Sequence, residues 1–310
     1  MKILLTGGSS FTGLWICRAL AGGGHRVIAT LTRQVAAYAN VRRQRVDALN
    51  ACAMLVPGIG FGTPEFVALL RTQGPFDLLC HHGAEVTNYT SADFDAVAAL
   101  AANTAGLRSV LSAHQESGGC AVLLTGSVFE AEEGAGSRPM RAFTPYGLSK
   151  TLTDQVFRYY VPEAGLRLGK FVIPNPFGPL EEPRFTAYLI KTWREAKTAS
   201  VRTPDYVRDN IPVDLLAGCY RLFAERLYAS SETFLHLNPS GYVESQGAFT
   251  RRFAAEMQPR LKLDCAVKLE LQSDFSQPLM RVNTDPARRL IPTWDETAFW
   301  DSYADYYRST

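Results

Sequence analysis

The sequence lacks several features that would point to particular protein classes. No apolar run approaches the roughly 20 residues that a membrane-spanning helix needs, and the first apolar stretch, Ile3–Leu5, is too short for a secretory signal. The six cysteines include no Cys-x-x-Cys pair, so we expect separate reduced thiols rather than a disulfide or zinc framework. These absences predict a cytoplasmic protein that is not embedded in a membrane.

Strong charge is also missing. The formal net charge is only +2 and there is no basic block, which argues against a nucleic-acid partner. Hydrophobic residues make up 46% of the chain and charged residues 20%, as in globular proteins with a sizeable core. A length of 310 residues fits one large α/β unit, or a nucleotide-binding domain with a smaller companion.

Short apolar strands alternate with helices through the first part of the chain. Ile3–Leu5 and Val27–Leu31 read as buried strands on either side of a helix at 14–20, which ends at three glycines. The alternation continues with helices at 66–71, 94–113 and 145–160 and strands at 76–80, 121–124 and 168–173. It predicts an α/β fold with a Rossmann-type doubly wound parallel sheet.

The alternation breaks down after residue 173. We therefore predict a dinucleotide-binding domain over residues 1–173, to which residues 207–228 return. Residues 174–206 and 229–310 are predicted to form a smaller, discontinuous C-terminal lobe that contacts the substrate.

A glycine-rich turn joins the first strand to the first helix. Gly7 and Gly13 allow a tight turn and let backbone N–H groups approach a pyrophosphate, to which the helix N-terminus adds partial positive charge. Ser10 stands where the middle glycine of a GxxGxxG pattern would be, and its hydroxyl is small enough to contact a phosphate. We expect Gly7, Ser10, Phe11 and Gly13 to contact a dinucleotide.

The end of the second strand bears on the choice of cofactor. An acidic residue there would bind the ribose of NAD, but the chain has Leu31, Thr32 and Arg33. Arg33 either pairs with the 2′-phosphate of NADP or is a solvated surface arginine, so NADP is favoured over NAD without excluding it. Asp47 either caps the adenine amino group or simply begins a loop.

Tyr146 and Lys150 lie four residues apart and therefore on one face of the predicted helix. A neighbouring ammonium favours the phenolate, which lets a tyrosine exchange a proton with an alcohol or keto oxygen. Ser127 follows the strand at 121–124 and would hold the substrate oxygen beside Tyr146, with Thr125 as the competing candidate. A metal site is not expected, because the His81–His82 doublet has no third ligand nearby.

Together these motifs resemble the extended short-chain dehydrogenase/reductase family, and within it the branch of nucleotide-sugar epimerases, dehydratases and reductases. The resemblance extends over most of the first 220 residues and is carried by these segments: TGGSSFTG at 6–13, DLLCHHGA at 77–84, NTAG at 103–106, TGS at 125–127, YGLSK at 146–150, NPFGP at 175–179 and YVRDNI at 206–211. The chain departs from the family pattern at three places: Ser10, the His82–Gly83 pair, and Phe129–Glu130, where Tyr-Gly is common.

The resemblance implies roles for individual residues. Ser127, Tyr146 and Lys150 would be catalytic, and Asn175 and Arg208 would bind the diphosphate of the substrate. Further cofactor contacts would come from the following residues: His81, Gly83, Asn103 and Ile173. The family also commonly forms dimers through two long helices, here 94–113 and 146–160, so we expect a homodimer.

The predicted function is NAD(P)-dependent chemistry on a nucleotide-diphosphate sugar, either 4-keto reduction or 4-epimerisation. No Asp-Glu pair follows Ser127, which argues against dehydration, and the missing acid after the second strand weakly favours a reductase that exchanges NADPH. Two alternatives remain: a reductase of a ketone or alcohol without a nucleotide, and a dinucleotide sensor without catalysis.

Overall fold

A computed structural model describes residues 1–309. Its α-helices within that range are, in chain order, α1 Phe11–Gly22, α2 Asn40–Leu49, α3 Pro64–Gln73, α4 Ala96–Asn103, α5 Leu107–Glu116, α6 Pro145–Glu163, α7 Phe185–Arg194, α8 Val213–Ala229, α9 Gln246–Leu261, α10 Ala287–Leu290 and α11 Glu296–Ser309. A short 3₁₀ turn covers Val35–Ala37.

The strands follow the same order. They are β1 Lys2–Leu5, β2 Arg26–Leu31, β3 Met54–Pro57, β4 Leu78–His81, β5 Ala121–Ser127, β6 Ala135–Gly136, β7 Arg167–Ile173, β8 Asn175–Phe177, β9 Ala199–Val201, β10 Val207–Pro212, β11 Phe234–Leu237, β12 Pro239–Ser240, β13 Tyr242–Ser245, β14 Val267–Leu269, β15 Met280–Val282 and β16 Asp285–Pro286.

Within residues 1–309, seven parallel strands form the main sheet in the order β11-β7-β5-β4-β1-β2-β3. Helices α1, α2 and α8 bury their apolar sides against one face, and α3, α5 and α6 cover the other. The central strands are buried on both faces, which is why they read as continuous apolar runs. The predicted Rossmann-type fold is confirmed.

A second sheet builds the lobe. Strand β10 pairs with antiparallel β13 on one side and with the parallel strands β15 and β8. Strand β15 pairs in turn with antiparallel β6. The lobe has its own core, in which Phe177 packs against aromatic rings from α9 and α11. Two predicted assignments are corrected by this pairing: residues 207–212 belong to the lobe, and Phe234–Leu237 in the predicted lobe is the edge strand β11 of the main sheet.

The stretch 96–116 has the length and composition of a membrane-spanning helix. It does not form the single long helix predicted for residues 94–113, because Gly106 adopts φ +58° and separates α4 from α5. A side chain at Gly106 would collide with Gly62, since its Cβ would lie 2.3 Å from the Gly62 carbonyl oxygen. Helix α4 then packs on α6, while α5 packs on α3.

A buried carboxyl group ties the last helix to the segment that follows β8. Glu181 Oε1 accepts hydrogen bonds from Thr186 (2.6 Å), Tyr307 (3.3 Å) and Tyr303. Burial raises the pKa of Glu181 from 4.5 to about 7 despite these donors. The segment 178–184 is thus fixed against α11 by a carboxyl group that the fold favours in its protonated form.

Because the folded-state pKa of Glu181 lies above its ordinary value, its protonation stabilises the fold below about pH 4.5, and this contribution is lost as pH rises to about 7. Glu181→Gln stays neutral throughout. Between pH 4.5 and pH 7, we expect the unfolding free energy of the wild type to fall by up to about 3 kcal/mol relative to that of Glu181→Gln. Each unit of pKa shift corresponds to about 1.4 kcal/mol. Urea denaturation at several pH values measures this difference, and exposed Glu163→Gln is the control. A pH-independent difference between wild type and Glu181→Gln would contradict the expectation.

Candidate active site

Two backbone turns touch where β1 and β4 end. Gly7 has φ +74°, and a Cβ on it would lie 2.6 Å from Gly83 N, so only glycine fits there. The Gly83 amide donates to the Thr6 hydroxyl at 2.9 Å. Gly13 is constrained in the same way, because its Cβ would lie 2.2 Å from the Gly7 carbonyl oxygen. The two predicted glycines of the phosphate turn are therefore required by close backbone approach.

Ser10 caps α1 instead of extending toward a ligand. Its hydroxyl accepts from Gly13 N (3.0 Å) and donates to Gly7 O (2.8 Å), which directs it into the protein and away from the phosphate contact proposed from sequence. His82 Nε2 lies 3.1 Å from the same oxygen. Nε2 also lies 3.0 Å from Thr12 Oγ1, and Nδ1 lies 3.1 Å from the Thr125 hydroxyl. Two departures from the family pattern, Ser10 and His82, therefore contact each other.

The start of α1 remains available to an anion. The amides of Phe11 and Thr12 have no acceptor among residues 1–309, as expected for the first turn of a helix. Two free N–H groups at the N-terminus of a 12-residue helix suit a pyrophosphate oxygen. The turn therefore fits the dinucleotide that the sequence predicts there.

The region after β2 differs in part from expectation. Arg33 is exposed directly after the strand, where a ribose or 2′-phosphate contact would be made. Asp47, by contrast, lies inside α2 and pairs with Arg43 at 2.8 Å, so it does not follow a strand. The third strand is β3, which the sequence reading missed, and Gly58 and Ile59 are the residues that follow it. The proposed adenine contact of Asp47 is thus not supported.

His81 and Asn103 lie behind the ligand edge rather than on it, contrary to the expected cofactor contacts. His81 is 3% exposed, with Nδ1 3.1 Å from the Thr6 hydroxyl and Nε2 3.2 Å from Asn103 O. Asn103 Oδ1 accepts from Glu85 N at 2.8 Å. Both side chains therefore brace the loop after β4, whereas Gly83 of that loop does face the phosphate turn.

Helix α6 presents the Tyr–Lys pair at the end of β5. Thr144 caps the helix by accepting from Gly147 N (3.0 Å), with Pro145 as its first residue. A Cβ on Gly147 would lie 2.2 Å from Phe129 O, so this glycine lets the helix approach the loop after β5. Lys150 Nζ then donates to Thr125 O at 2.6 Å. The predicted pair is thus held against the strand end.

Opposing effects act on the Tyr146 phenol. Burial raises its pKa and nearby negative charge adds to the rise, while the Ser127 hydroxyl interacts with the phenol and lowers its pKa. Burial likewise lowers the pKa of the Lys150 ammonium. Three rings meet Tyr146 edge-on: Tyr89, Phe94 and Phe129. The protein by itself thus holds a neutral phenol in an aromatic pocket.

The two candidate hydroxyls at the end of β5 point to different partners. Ser127 interacts with Tyr146, and its hydroxyl accepts from Phe129 N at 3.3 Å. Thr125 instead bonds His82. The geometry favours Ser127 over Thr125 as the hydroxyl beside the phenol. Ile173 pairs with Ser127 in register, and its carbonyl accepts from Val128 N at 3.0 Å.

The predicted substrate residues lie on paired strands. Asn175 on β8 donates to Asp209 O of β10 at 3.2 Å. Arg208 donates to Pro278 O (3.0 Å) and Gln277 Oε1 (3.1 Å), and its guanidinium lies over the Tyr206 ring. In the part of the chain that the structure describes, Arg208 has no carboxylate partner, so its charge is free to bind an anion.

Several site residues were missed from sequence. His82 was noted only as a departure from the family pattern and as part of a doublet without a third metal ligand, and the aromatic residues around Tyr146 have no motif of their own. Glu130 was likewise noted only as a departure, yet Glu130 Oε1 accepts from Ser127 N at 2.6 Å. Nothing local in the sequence signals these contacts, because each joins segments that are distant in the chain or lies in an irregular loop.

Solved structures of similar fold cover essentially the whole chain. A UDP-glucuronic acid 4-epimerase from Bacillus cereus, in complex with UDP-glucuronic acid and NAD, superposes with TM-score 0.75 at 17% identity, covering 100% of this chain and 99% of that one. A UDP-glucose 4-epimerase from Stenotrophomonas maltophila with bound NAD gives 0.78 at 18%, covering 100% and 98%. A dTDP-glucose 4,6-dehydratase from Streptomyces venezuelae gives 0.74 at 19%, also covering 100% and 98%.

No curated protein sequence matches the chain. The family model described as "NAD dependent epimerase/dehydratase family" matches residues 3–232, about three quarters of the sequence, and this span includes the phosphate turn, the Tyr–Lys pair and Arg208. With the parallel sheet and the geometry of these residues, this match shows that the chain belongs to the NAD-dependent epimerase/dehydratase family.

Proposed function

We propose that the protein is a nicotinamide-dependent enzyme that epimerises the C4 position of a nucleotide-diphosphate sugar. The observation that carries the proposal is the meeting of Ser127, Tyr146 and Lys150 at the sheet edge where α1 offers free amides. The similar solved structures include UDP-sugar 4-epimerases with NAD bound, which supports this substrate class and cofactor.

Tyr146, Ser127 and Lys150 have different roles in proton transfer. Tyr146 takes the proton of the sugar hydroxyl and returns it to the keto oxygen, while Ser127 holds that oxygen by a hydrogen bond. The Lys150 ammonium favours the phenolate by its charge. A nicotinamide bound at the α1 turn would supply hydride acceptance and donation, and its oxidised form would add a second positive charge. The protein's part is to bind, orient and move the proton.

A second candidate is an NADPH-dependent 4-keto reductase. The residues that follow β2 support this candidate. Arg33 is exposed there, and no acidic residue is present to bind the ribose hydroxyls of NAD. The two candidates differ in stoichiometry, because a reductase consumes NADPH and an epimerase shows no net consumption.

We also propose a homodimer in which α4 and α6 form the interface. These helices pack side by side and expose Val97 and Tyr159, which are 73% and 64% accessible. Cytoplasmic location remains a prediction from the sequence.

Removing the Tyr146 hydroxyl tests the central proposal. We expect Tyr146→Phe to lower kcat by about 10²- to 10⁴-fold, the range for loss of general acid–base catalysis, with cofactor affinity unchanged within about threefold. UDP-sugar conversion followed by chromatography, with NADPH absorbance recorded in parallel, measures both candidate reactions. The control is Tyr228→Phe, an exposed tyrosine of α8. Wild-type turnover in Tyr146→Phe would exclude the mechanism.

The unpaired charge of Arg208 tests the substrate class. We expect Arg208→Gln to raise KM for a UDP-sugar by roughly tenfold or more, because a charge-assisted contact with phosphate contributes about 1.5–3 kcal/mol. The matched control is exposed Arg202→Gln, which precedes β10. An unchanged KM in steady-state kinetics would count against diphosphate recognition and favour a substrate without a nucleotide.

The Ser10–His82 contact makes a prediction about the phosphate turn. Ser10→Gly removes the cap of α1, and His82→Leu removes a side chain that contacts Ser10, Thr12 and Thr125, so each single variant should weaken dinucleotide binding by about three- to tenfold. The double variant loses the shared Ser10–His82 contact only once, so we expect its loss of binding free energy to be smaller than the sum of the two single losses. Isothermal titration with NAD and with NADP measures all four proteins. Strictly additive losses would show that the two residues act independently.

A further inference from the structure

A buried ionic cluster lies beside the active site. Lys170 Nζ on β7 contacts Glu133 Oε1 at 2.5 Å, Glu130 Oε2 at 2.7 Å and Asp154 Oδ2 at 2.9 Å. All four side chains are largely shielded from water, with Lys170 at 2% and Glu130 at 1% exposure. The carboxylates come from the loop after β5 and from α6, so the cluster joins β7 to the two elements that carry the catalytic residues, β5 with its following loop and α6.

The three carboxylates do not form a vacant metal site. Their ligand oxygens lie within 4.8 Å of one another, but the Lys170 ammonium contacts all of them. Burial works against that charge, yet the surrounding carboxylates outweigh burial and raise the pKa of Lys170. Lys170 is therefore the cation of this cluster.

One carboxylate of the cluster extends directly to the catalytic strand end. Glu130 Oε1 accepts from Ser127 N at 2.6 Å, while its other oxygen is held by Lys170. Arg281 of the lobe fixes the Glu130 backbone by donating to its carbonyl oxygen at 2.7 Å. A Cβ at Gly126 would lie 2.9 Å from both Glu130 Oε1 and Lys170 Cε, so this glycine leaves room for the pair.

The Glu130 charge acts on both members of the catalytic pair. Burial lowers the pKa of Lys150, and Glu130 opposes that change. Burial raises the pKa of Tyr146, and Glu130 increases the rise. Asp154 and Lys170 also act on Lys150, and Tyr89 and Arg184 also act on Tyr146. Burial raises the pKa of Glu130 itself, and the Lys170 and Lys150 ammonium groups oppose that rise.

We propose that Glu130, clamped by Lys170, is a positioning residue for the reaction: it fixes Ser127 through its backbone amide and sets the charge balance of Tyr146 and Lys150. The kinetic part of this proposal rests on the proposed function. Glu130 stands where the family pattern commonly has glycine, so the device is a feature of this chain.

Glu130→Gln separates the two roles. Glutamine has one carbonyl oxygen, which can accept from Ser127 N, but it gives up the second acceptor that faces Lys170 and removes the negative charge. Loss of that charge eases phenolate formation on Tyr146 and weakens the ammonium on Lys150. We expect both limbs of the bell-shaped pH profile of kcat to move to lower pH, by on the order of half a unit to one unit. Maximal kcat should stay within about threefold of wild type, because Ser127 keeps its acceptor. Glu132→Gln, an exposed change in the same loop, should leave the profile unmoved.

Glu130→Leu removes the acceptor as well. We expect maximal kcat to fall roughly tenfold or more, because Ser127 loses its position, while KM changes little. A Glu130→Gln profile that coincides with wild type, or a Glu130→Leu enzyme with full kcat, would overturn the proposal. Should the leucine variant fail to fold, the near-isosteric glutamine variant still decides the electrostatic role.

Amide hydrogen exchange tests the positioning role without any substrate. In cofactor-free protein the Ser127 amide should exchange at least about tenfold faster in Glu130→Leu, while Glu130→Gln stays near wild type. Val122 of the same strand is the internal reference, because its amide lies in the sheet core. Unchanged Ser127 exchange in Glu130→Leu refutes the positioning role. If the wild-type protein were inactive toward every UDP-sugar, the proposed function would be refuted. The exchange result would still test whether Glu130 positions Ser127, because it needs no substrate.

Discussion

The close approach of the Gly7 and Gly83 backbones governs how the site is assembled. A single methyl group at Gly7 would fall 2.6 Å from Gly83 N, so the ends of β1 and β4 can meet only as bare main chain. Strands β1 and β4 are neighbours in the sheet but not in sequence, and ligands in such sheets bind at the carboxyl edge where strand order reverses. Because the turns touch, α1 starts at that edge with its amides free, and His82 comes to lie under Ser10.

Buried charge provides a second constraint, and it links the two halves of the molecule. Removing one partner from a buried ion pair costs about 3–5 kcal/mol, so the cluster around Lys170 strongly restricts the loop after β5. Arg281 reaches the same loop from β15 and donates to the carbonyl oxygens of Glu130 and Arg141. Packing of the lobe and placement of Ser127 are therefore mechanically connected, although the lobe has a separate aromatic core.

The sequence alone predicted those features whose residues lie close together in the chain. The strand–turn–helix at 2–22 and the Tyr–Lys spacing are each contained in a few residues, and the fold predicted from them is confirmed. Strand β3 was missed although Met54–Val56 are apolar, because it is a short, half-buried strand at the sheet edge, and Asp47 was misplaced with it. His81 looked like a ligand residue, yet its ring nitrogens are bonded within the protein. The pairing of Glu130 with Lys170 spans 40 residues, and no local pattern encodes such a contact.

The burial that assembles the site also opposes ionisation of its tyrosine. Burial and the Glu130 charge raise the pKa of Tyr146, while Arg184 and the Ser127 hydroxyl lower it. A phenol held neutral in this way is a poor base. A cation bound close to the phenol would lower its pKa. Glu130 opposes the effect of burial on Lys150, so the carboxylate that disfavours the phenolate of Tyr146 favours the ammonium of Lys150, and proton transfer depends on the balance of the two.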